Sequence, residues 1–162
     1  MNKLEIKVLD SSWLPSIAEI CLGNVDYYYH MNEAPESSFV AHTFESLPPG
    51  TIPSQKCNLG IFMGGELVAY VEMVKSYPDD CCAMIGLLMV KKHYQGKGLG
   101  SQIVSLTLEN LRREGFSEVY LSCSSTDAHA RRFWINRGFV ETGDVDEYDD
   151  ISLVAMERHL TI

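Results

Sequence analysis

The strongest constraint on this chain is a nearly continuous apolar run, Cys82-Ala83-Met84-Ile85-Gly86-Leu87-Leu88-Met89-Val90. A glycine-rich turn, Gln95-Gly96-Lys97-Gly98-Leu99-Gly100, follows it within a few residues. An apolar run of that length between polar flanks suits a strand covered on both faces, so it is expected at the centre of a sheet. Beyond the turn, Leu99, Ile103 and Leu106 form one stripe and Val104, Leu108 and Leu111 a second. That spacing predicts a helix buried on more than one side. A strand, a glycine turn and a helix in this order make an anion site. The first helical N–H groups have no partners, the helix end carries partial positive charge, and missing side chains let a phosphate come close.

The rest of the chain supplies elements around this unit. Leu4 to Leu9 alternates as a strand, and Ser11-Ser12 is read as the cap of a helix from Trp13 to Leu22 with Pro15 in its first turn. A second helix is expected from Glu36 to Leu47, ended by Pro48-Pro49-Gly50. Leu59–Met63 and Glu66–Val74 flank Gly64-Gly65 and read as a hairpin. Tyr77-Pro78-Asp79-Asp80 is a turn into the central strand. Glu114-Gly115 stops the long helix, and Val119–Cys123 is the next strand. Asp127 caps a helix to about Asn136 that Gly138 ends, and Phe139–Thr142 and Ile151–Met156 are closing strands. A long helical crossover joins the central strand to the strand from Val119, as a parallel pair requires.

With 162 residues and no linker or repeat, the chain is expected to form one domain over 1–162. Its 46% hydrophobic content is spread along the sequence, with no apolar run long enough to cross a bilayer, so no membrane role is expected. Met1 to Lys7 lacks the features of a secretory leader, and a cytoplasmic location is expected. Five cysteines without a C-x-x-C pair or a histidine at ligand spacing read as reduced thiols, and no metal is expected. A formal net charge of −9 argues against nucleic-acid binding and favours a cationic partner over an anionic one. A local basic pocket for one phosphorylated cofactor remains compatible with it.

Spacing narrows the phosphate ligand. A P-loop needs a glycine where Lys91 stands and a hydroxyl where Gly98 stands. A dinucleotide fingerprint needs a glycine where Ser101 stands, and it opens a βαβ unit rather than following a hairpin. The turn does resemble the acetyl-CoA signature Q/R-x-x-G-x-G/A of the GNAT superfamily of N-acetyltransferases, at Gln95, Gly98 and Gly100. Met89 to Tyr94 is similar to the family's approach to that turn, and the stretch from Asp127 to Phe139 is similar to its second motif, N-x-x-A-x-x-F-Y with a following G-F. The likeness runs from about Asn58 to the C-terminus and also touches an uncharacterised bacterial subgroup.

The resemblance implies an α/β fold: a twisted, mostly antiparallel sheet of about six or seven strands, helices on both faces and a splayed parallel central pair. It implies acetyl-CoA as co-substrate. Backbone around Leu88, Met89 and Val90 would hold pantetheine, and the amides of Gln95, Gly96, Lys97, Gly98, Leu99, Gly100 and Ser101 the pyrophosphate. Asp127, Ala130, Phe133 and Trp134 would complete the cofactor side. The strand near Leu121-Ser122-Cys123 would diverge to leave a slot for the thioester, which an amine attacks directly. The chain departs from the family at Asp127, where asparagine is usual, and at Trp134, where tyrosine often serves as general acid. An indole N–H donates but does not give up its proton. A catalytically weak acyl-CoA sensor or docking module is therefore the alternative to an enzyme.

An amine acceptor must shed a proton to attack. Glu72 is the first candidate base, its other reading being a solvated residue on an alternating strand; Tyr77 and His93 are weaker candidates. Tyr27-Tyr28-Tyr29-His30 reads either as a wall of the acceptor cleft or as packing. The run Asp144, Asp146, Glu147, Asp149 and Asp150 reads as a solvated hairpin or as a border that favours a cationic acceptor. The expected partner is a small-molecule or peptide amine, and a homodimer is compatible with the sequence.

Overall fold

The computed structural model describes residues 3–161, so Met1 and Asn2 of the N-terminal stretch read above, and Ile162, lie outside the described residues. Seven strands form one sheet: β1 (Leu4–Val8), β2 (Lys56–Met63), β3 (Glu66–Lys75), β4 (Cys82–Val90), β5 (Glu118–Ser124), β6 (Val140–Tyr148) and β7 (Ile151–His159). Their order is β1-β2-β3-β4-β5-β7-β6, which places β4, the apolar run, in the middle. Each pairing is antiparallel except β4 with β5, which is parallel and joins only Cys82–Met84 to Glu118–Tyr120. The two strands flank α4 (Leu99–Arg113), the helical crossover that parallel pairing demands.

Because side chains alternate along a strand, β3 serves two cores. Tyr70 packs with Ile17, Ile20, Tyr28, Val40 and Phe44, from α1 (Leu14–Leu22), α2 (Val25–His30) and α3 (Ser37–Glu45). Val71 and Met73 belong to the opposite cores, with Leu99, Ile103, Val104, Leu108 and Leu111 of α4 and Trp134 of α5 (Ala128–Asn136). Burying each of these large side chains contributes about 1.5–3 kcal/mol. The expected mixed α/β fold with helices on both faces and a parallel central pair is therefore the observed one.

Several local readings change. The first helix is entered through a 3-10 turn, Ser11–Trp13, capped by Asp10, whose carboxylate accepts from Ser12 N–H; Ser11-Ser12 is not the cap. The aromatic run Tyr27–His30 is itself helical in α2, and α3 stops at Glu45, short of Leu47. Helix α4 buries one continuous face, and Leu106 is 40% exposed instead of forming part of an apolar stripe. Asp127 does cap α5, accepting from Ala130 N–H at 3.0 Å.

A buried polar chain fixes α3 on the sheet. Tyr70 OH donates to Asn58 Oδ1 at 2.7 Å, and Asn58 Nδ2 donates to Phe44 O at 3.1 Å. Tyr70→Phe strips the buried Asn58 carbonyl of this donor without changing ring packing. It is expected to cost about 1–3 kcal/mol in urea unfolding; an unchanged midpoint would show that the chain does not hold the helix.

Candidate active site

After Met84 and Tyr120 the ladder between β4 and β5 stops, and a cleft of about 290 Å³ opens between the two strands. Ile85 to Leu88 form one wall and Leu121 to Ser124 the other, with Asp127, Ala130 and Trp134 of the α5 segment across them and Tyr27, His30 and Met31 on the far side. The slot expected near Leu121-Ser122-Cys123 is present as geometry.

Strand parity decides what β4 offers to this gap. Lys91 N–H donates to Val68 O at 2.8 Å, and Met89 lies opposite Tyr70, so these residues bond towards β3. The alternate residues Leu88 and Val90 then turn their backbone groups away from β3, towards the gap. Met89 has its side chain in the core under α1, outside the cleft. The Val90 carbonyl is already engaged, accepting from Asn24 Nδ2 at 3.1 Å and Gln95 Nε2 at 2.8 Å. Gln95 also donates to Asn24 Oδ1 at 2.6 Å, so its side chain braces the turn.

The turn itself depends on glycine at Gly98, which caps α4 with φ +82° in the left-handed region that other residues adopt at a cost. The first helical bond runs from Gln102 N–H to Gly98 O, so the amides of Leu99, Gly100 and Ser101 precede any intrahelical acceptor. Gly96 and Lys97 are exposed, while the Leu99 side chain is buried under the helix. The two sequence motifs meet at Gly100, where a Cβ would stand in ordinary contact with the Phe133 ring at 3.4 Å. Phe133 packs beside Trp134 at 5.0 Å between ring centroids, and Trp134 beside Phe139 at 5.2 Å. Trp134 therefore combines a core position with one face on the cleft. Burial pushes the cleft cysteine, Cys123, up to about 11, so it stays a thiol at neutral pH.

Glu72 lies on the other side of β4, in a second cavity of about 280 Å³ lined also by Tyr27, Tyr28, Phe39, Thr43, Lys56 and Leu87. The cavities share Tyr27, Met84, Gly86 and Leu87 and so meet around Gly86. There β3 pairs Glu72 with Leu87 and Met73 with Ile85, leaving Gly86 as the extra residue of a bulge. Glu72 is only 4% exposed, which excludes its reading as a solvated strand residue. Its carboxylate is 2.8 Å from Lys56 Nζ, which also donates to Thr43 O and Ser46 O at 3.0 Å, the carbonyls closing α3. Burial raises the proton affinity of Glu72, and Lys56 and Thr43 oppose it.

Lys56 had no sequence signal, because its partners are a helix end and a neighbouring strand. Tyr29 is 80% exposed, but Tyr27, Tyr28 and His30 do wall the cavities. Tyr77 and His93 line neither cavity. The acidic residues on β6 and its turn are exposed, and Asp150 accepts from Asn32 Nδ2 at 3.0 Å, next to Met31 at the cleft. Among the described residues no helix is long and apolar enough to cross a membrane.

Comparison with known proteins agrees with this geometry. Residues 24–139 match the model of the Acetyltransferase (GNAT) family. The chain is 33% identical over 96 residues to Protein ElaA of Escherichia coli (strain K12), covering 59% of this chain and 61% of that protein's length. An acetyltransferase from Thermus thermophilus superposes with TM-score 0.80 at 20% identity, over 99% of this chain and 100% of the other. A spermidine N-acetyltransferase from Vibrio cholerae, solved with CoA and spermine, gives TM-score 0.72 at 16% identity, over 97% and 95%. At those identities the solved structures speak for the fold, while the family match spans most of the chain. With its central strand, glycine turn and divergent parallel pair in place, the chain belongs to the GNAT acetyltransferase family.

Proposed function

We propose that the chain is an N-acetyltransferase that moves an acetyl group from acetyl-CoA to a primary amine of a small molecule or peptide. The observation that carries this reading is the open edge of β4: Leu88 and the Val90 N–H face a gap where β5 has departed, just ahead of the Gly98–Ser101 amides. Pantetheine pairs with the first and pyrophosphate with the second. Asp127, Ala130 and Trp134 wall the cofactor side, and Gln95 and Phe133 hold the turn from behind.

The acyl group of the thioester then lies near Gly86, where the cavities meet. The bulge leaves Gly86 out of the ladder register, and the backbone N–H there is the donor we assign to the charge developing on the carbonyl oxygen. The acceptor enters from the Glu72 cavity, and Glu72 takes the ammonium proton. Burial raises the carboxyl's proton affinity, and Lys56 opposes that rise by favouring the ionised form, at the expense of some basicity. Trp134 donates a hydrogen bond towards the sulfur; a thiolate is a good leaving group and needs no proton from it. The exposed acidic run beside the cleft, and the spermine in the similar Vibrio cholerae enzyme, support trying polyamines first as acceptors.

Thiol release from acetyl-CoA, followed across pH against polyamines, amino acids, aminoglycosides and peptide N-termini, is expected to find at least one amine that turns over. Tight acetyl-CoA binding with no turnover for any amine would favour the sensor instead. Calorimetry is expected to show acetyl-CoA binding and no NADH binding, with Gly98→Val weakening the former; the reverse preference would defeat the site assignment. Glu72→Gln should lower the rate most near neutral pH and less at high pH, where free amine is abundant. Equal loss at every pH would remove Glu72 as the base.

Lys56→Met leaves the Glu72 carboxylate buried without its cation and is expected to cost about 3–5 kcal/mol at neutral pH. Its sign with pH follows from a folded-state proton affinity already raised above the unfolded value and raised further by the substitution. A raised carboxyl favours folding below the unfolded pKa and loses that contribution as pH rises through the folded one. The variant should therefore recover stability relative to the parent on acidification towards the ordinary glutamate range. A pH-independent deficit in denaturant midpoints would contradict the pairing.

A further inference from the structure

At the end of β4 opposite the glycine turn, the sheet register aligns Cys82 with Glu118 of β5, and Glu118 with His159 of β7. One row across three strands thus carries a thiol, a carboxylate and an imidazole, and Cys81 adds a second thiol just before β4. The sulfurs of Cys81 and Cys82 are 3.8 Å apart, and Cys82 Sγ is 3.3 Å from Glu118 Oε2. The ligand atoms of Cys81, Cys82 and Glu118 all lie within 4.8 Å of one another. His159 Nδ1 is 3.1 Å from the other carboxylate oxygen, Glu118 Oε1. Backbone bonds hold the donors in place: Ser117 and Glu118 N–H donate to Cys81 O at 2.9 and 3.3 Å, and Cys82 N–H to Asp79 O at 2.9 Å.

Two thiolates bound to one tetrahedral Zn²⁺ at about 2.3 Å stand about 3.8 Å apart, which is the separation found here. We propose that Cys81, Cys82 and Glu118 form a binding site for a thiophilic divalent cation of the Zn²⁺ type, with His159 orienting Glu118 through its second oxygen. Two sulfur donors select such a cation over Mg²⁺ or Ca²⁺, which take oxygen ligands. A histidine on the far oxygen of a ligating carboxylate is the kind of outer partner that fixes ligand orientation. Cys81 is exposed, giving an entry path and leaving the fourth position to water, whereas Cys82 is buried at the start of β4.

The position says what the cation would do. Cys82 and Glu118 open the three-residue parallel pairing that holds β4 to β5, so an ion bound to both clamps the sheet below the cleft. None of these residues lines either cavity, so the site stands or falls independently of acetyl transfer. The sequence hid it because the thiols at the start of β4 and the carboxylate of β5 lie far apart in the chain and share no ligand spacing.

The test is titration of Zn²⁺ into the reduced full chain against a chromophoric chelator, with Co²⁺ as a spectroscopic substitute. One Zn²⁺ per chain is expected with Kd below about 1 μM, together with a thiolate-to-Co²⁺ absorption and a higher Tm. Cys81→Ser, at an exposed position the fold tolerates, should abolish the binding and the Tm rise, as should Glu118→Gln. His159→Gln should weaken the affinity about ten- to hundredfold, while Cys57→Ser should change nothing. Absence of Zn²⁺ binding in the parent chain would overturn the proposal, as would binding that survives in both Cys81→Ser and Glu118→Gln. Should Glu118→Gln fail to fold, Cys81→Ser alone decides between these results.

Discussion

Three residues of parallel pairing, Cys82–Met84 against Glu118–Tyr120, hold the two halves of the sheet together, and the cleft exists because that pairing goes no further. Parallel neighbours require a long crossover, and α4 supplies it, so the helix begins at the end of β4 where the strands are furthest from pairing. A backbone edge without a strand partner, a helix N-terminus and a turn of glycines therefore come together as consequences of one topological choice. Buried N–H and C=O groups need partners. The open edge of β4 accordingly favours a ligand that replaces the missing strand.

On the opposite face, α3 is held to the sheet by polar contacts in a largely apolar layer. Asn58, Tyr70 and the Phe44 carbonyl form one chain, and Lys56 links the Thr43 and Ser46 carbonyls to Glu72. A buried ion pair is a poor way to gain stability, since desolvation offsets most of its attraction. Its place in a cavity that meets the cleft at Gly86 is what supports Glu72 as the proposed base for the acceptor. Lys56 has a second task at the C-terminal end of α3, where the helix dipole favours a cation.

The parts of this arrangement legible in the sequence were those encoded locally. The apolar run from Cys82 to Val90 matched the central strand, and Asp127 matched the cap of α5, because burial on both faces and capping each leave a mark within a few residues. The Gly64-Gly65 hairpin was legible for the same reason. What escaped depended on which surface met which. Leu106 continues an apolar spacing yet faces solvent, since the sheet covers only one face of α4. Met89 sits within the cofactor motif yet points into the opposite core, and the Gln95 side chain braces Asn24. Lys56 meets Glu72 across a strand pair, and the row Cys82–Glu118–His159 forms only when three strands are aligned.

On the proposed function acetyl-CoA completes the sheet at the edge that β5 leaves open, and amide hydrogen exchange in the full chain reads this directly. Saturating acetyl-CoA is expected to slow exchange at Leu88 and Val90 N–H and at Leu99, Gly100 and Ser101, with little change along β1 and β2. Bound acetyl-CoA with unaltered exchange at Leu88 and Val90, and protection appearing elsewhere, would mean that the cofactor does not pair with β4.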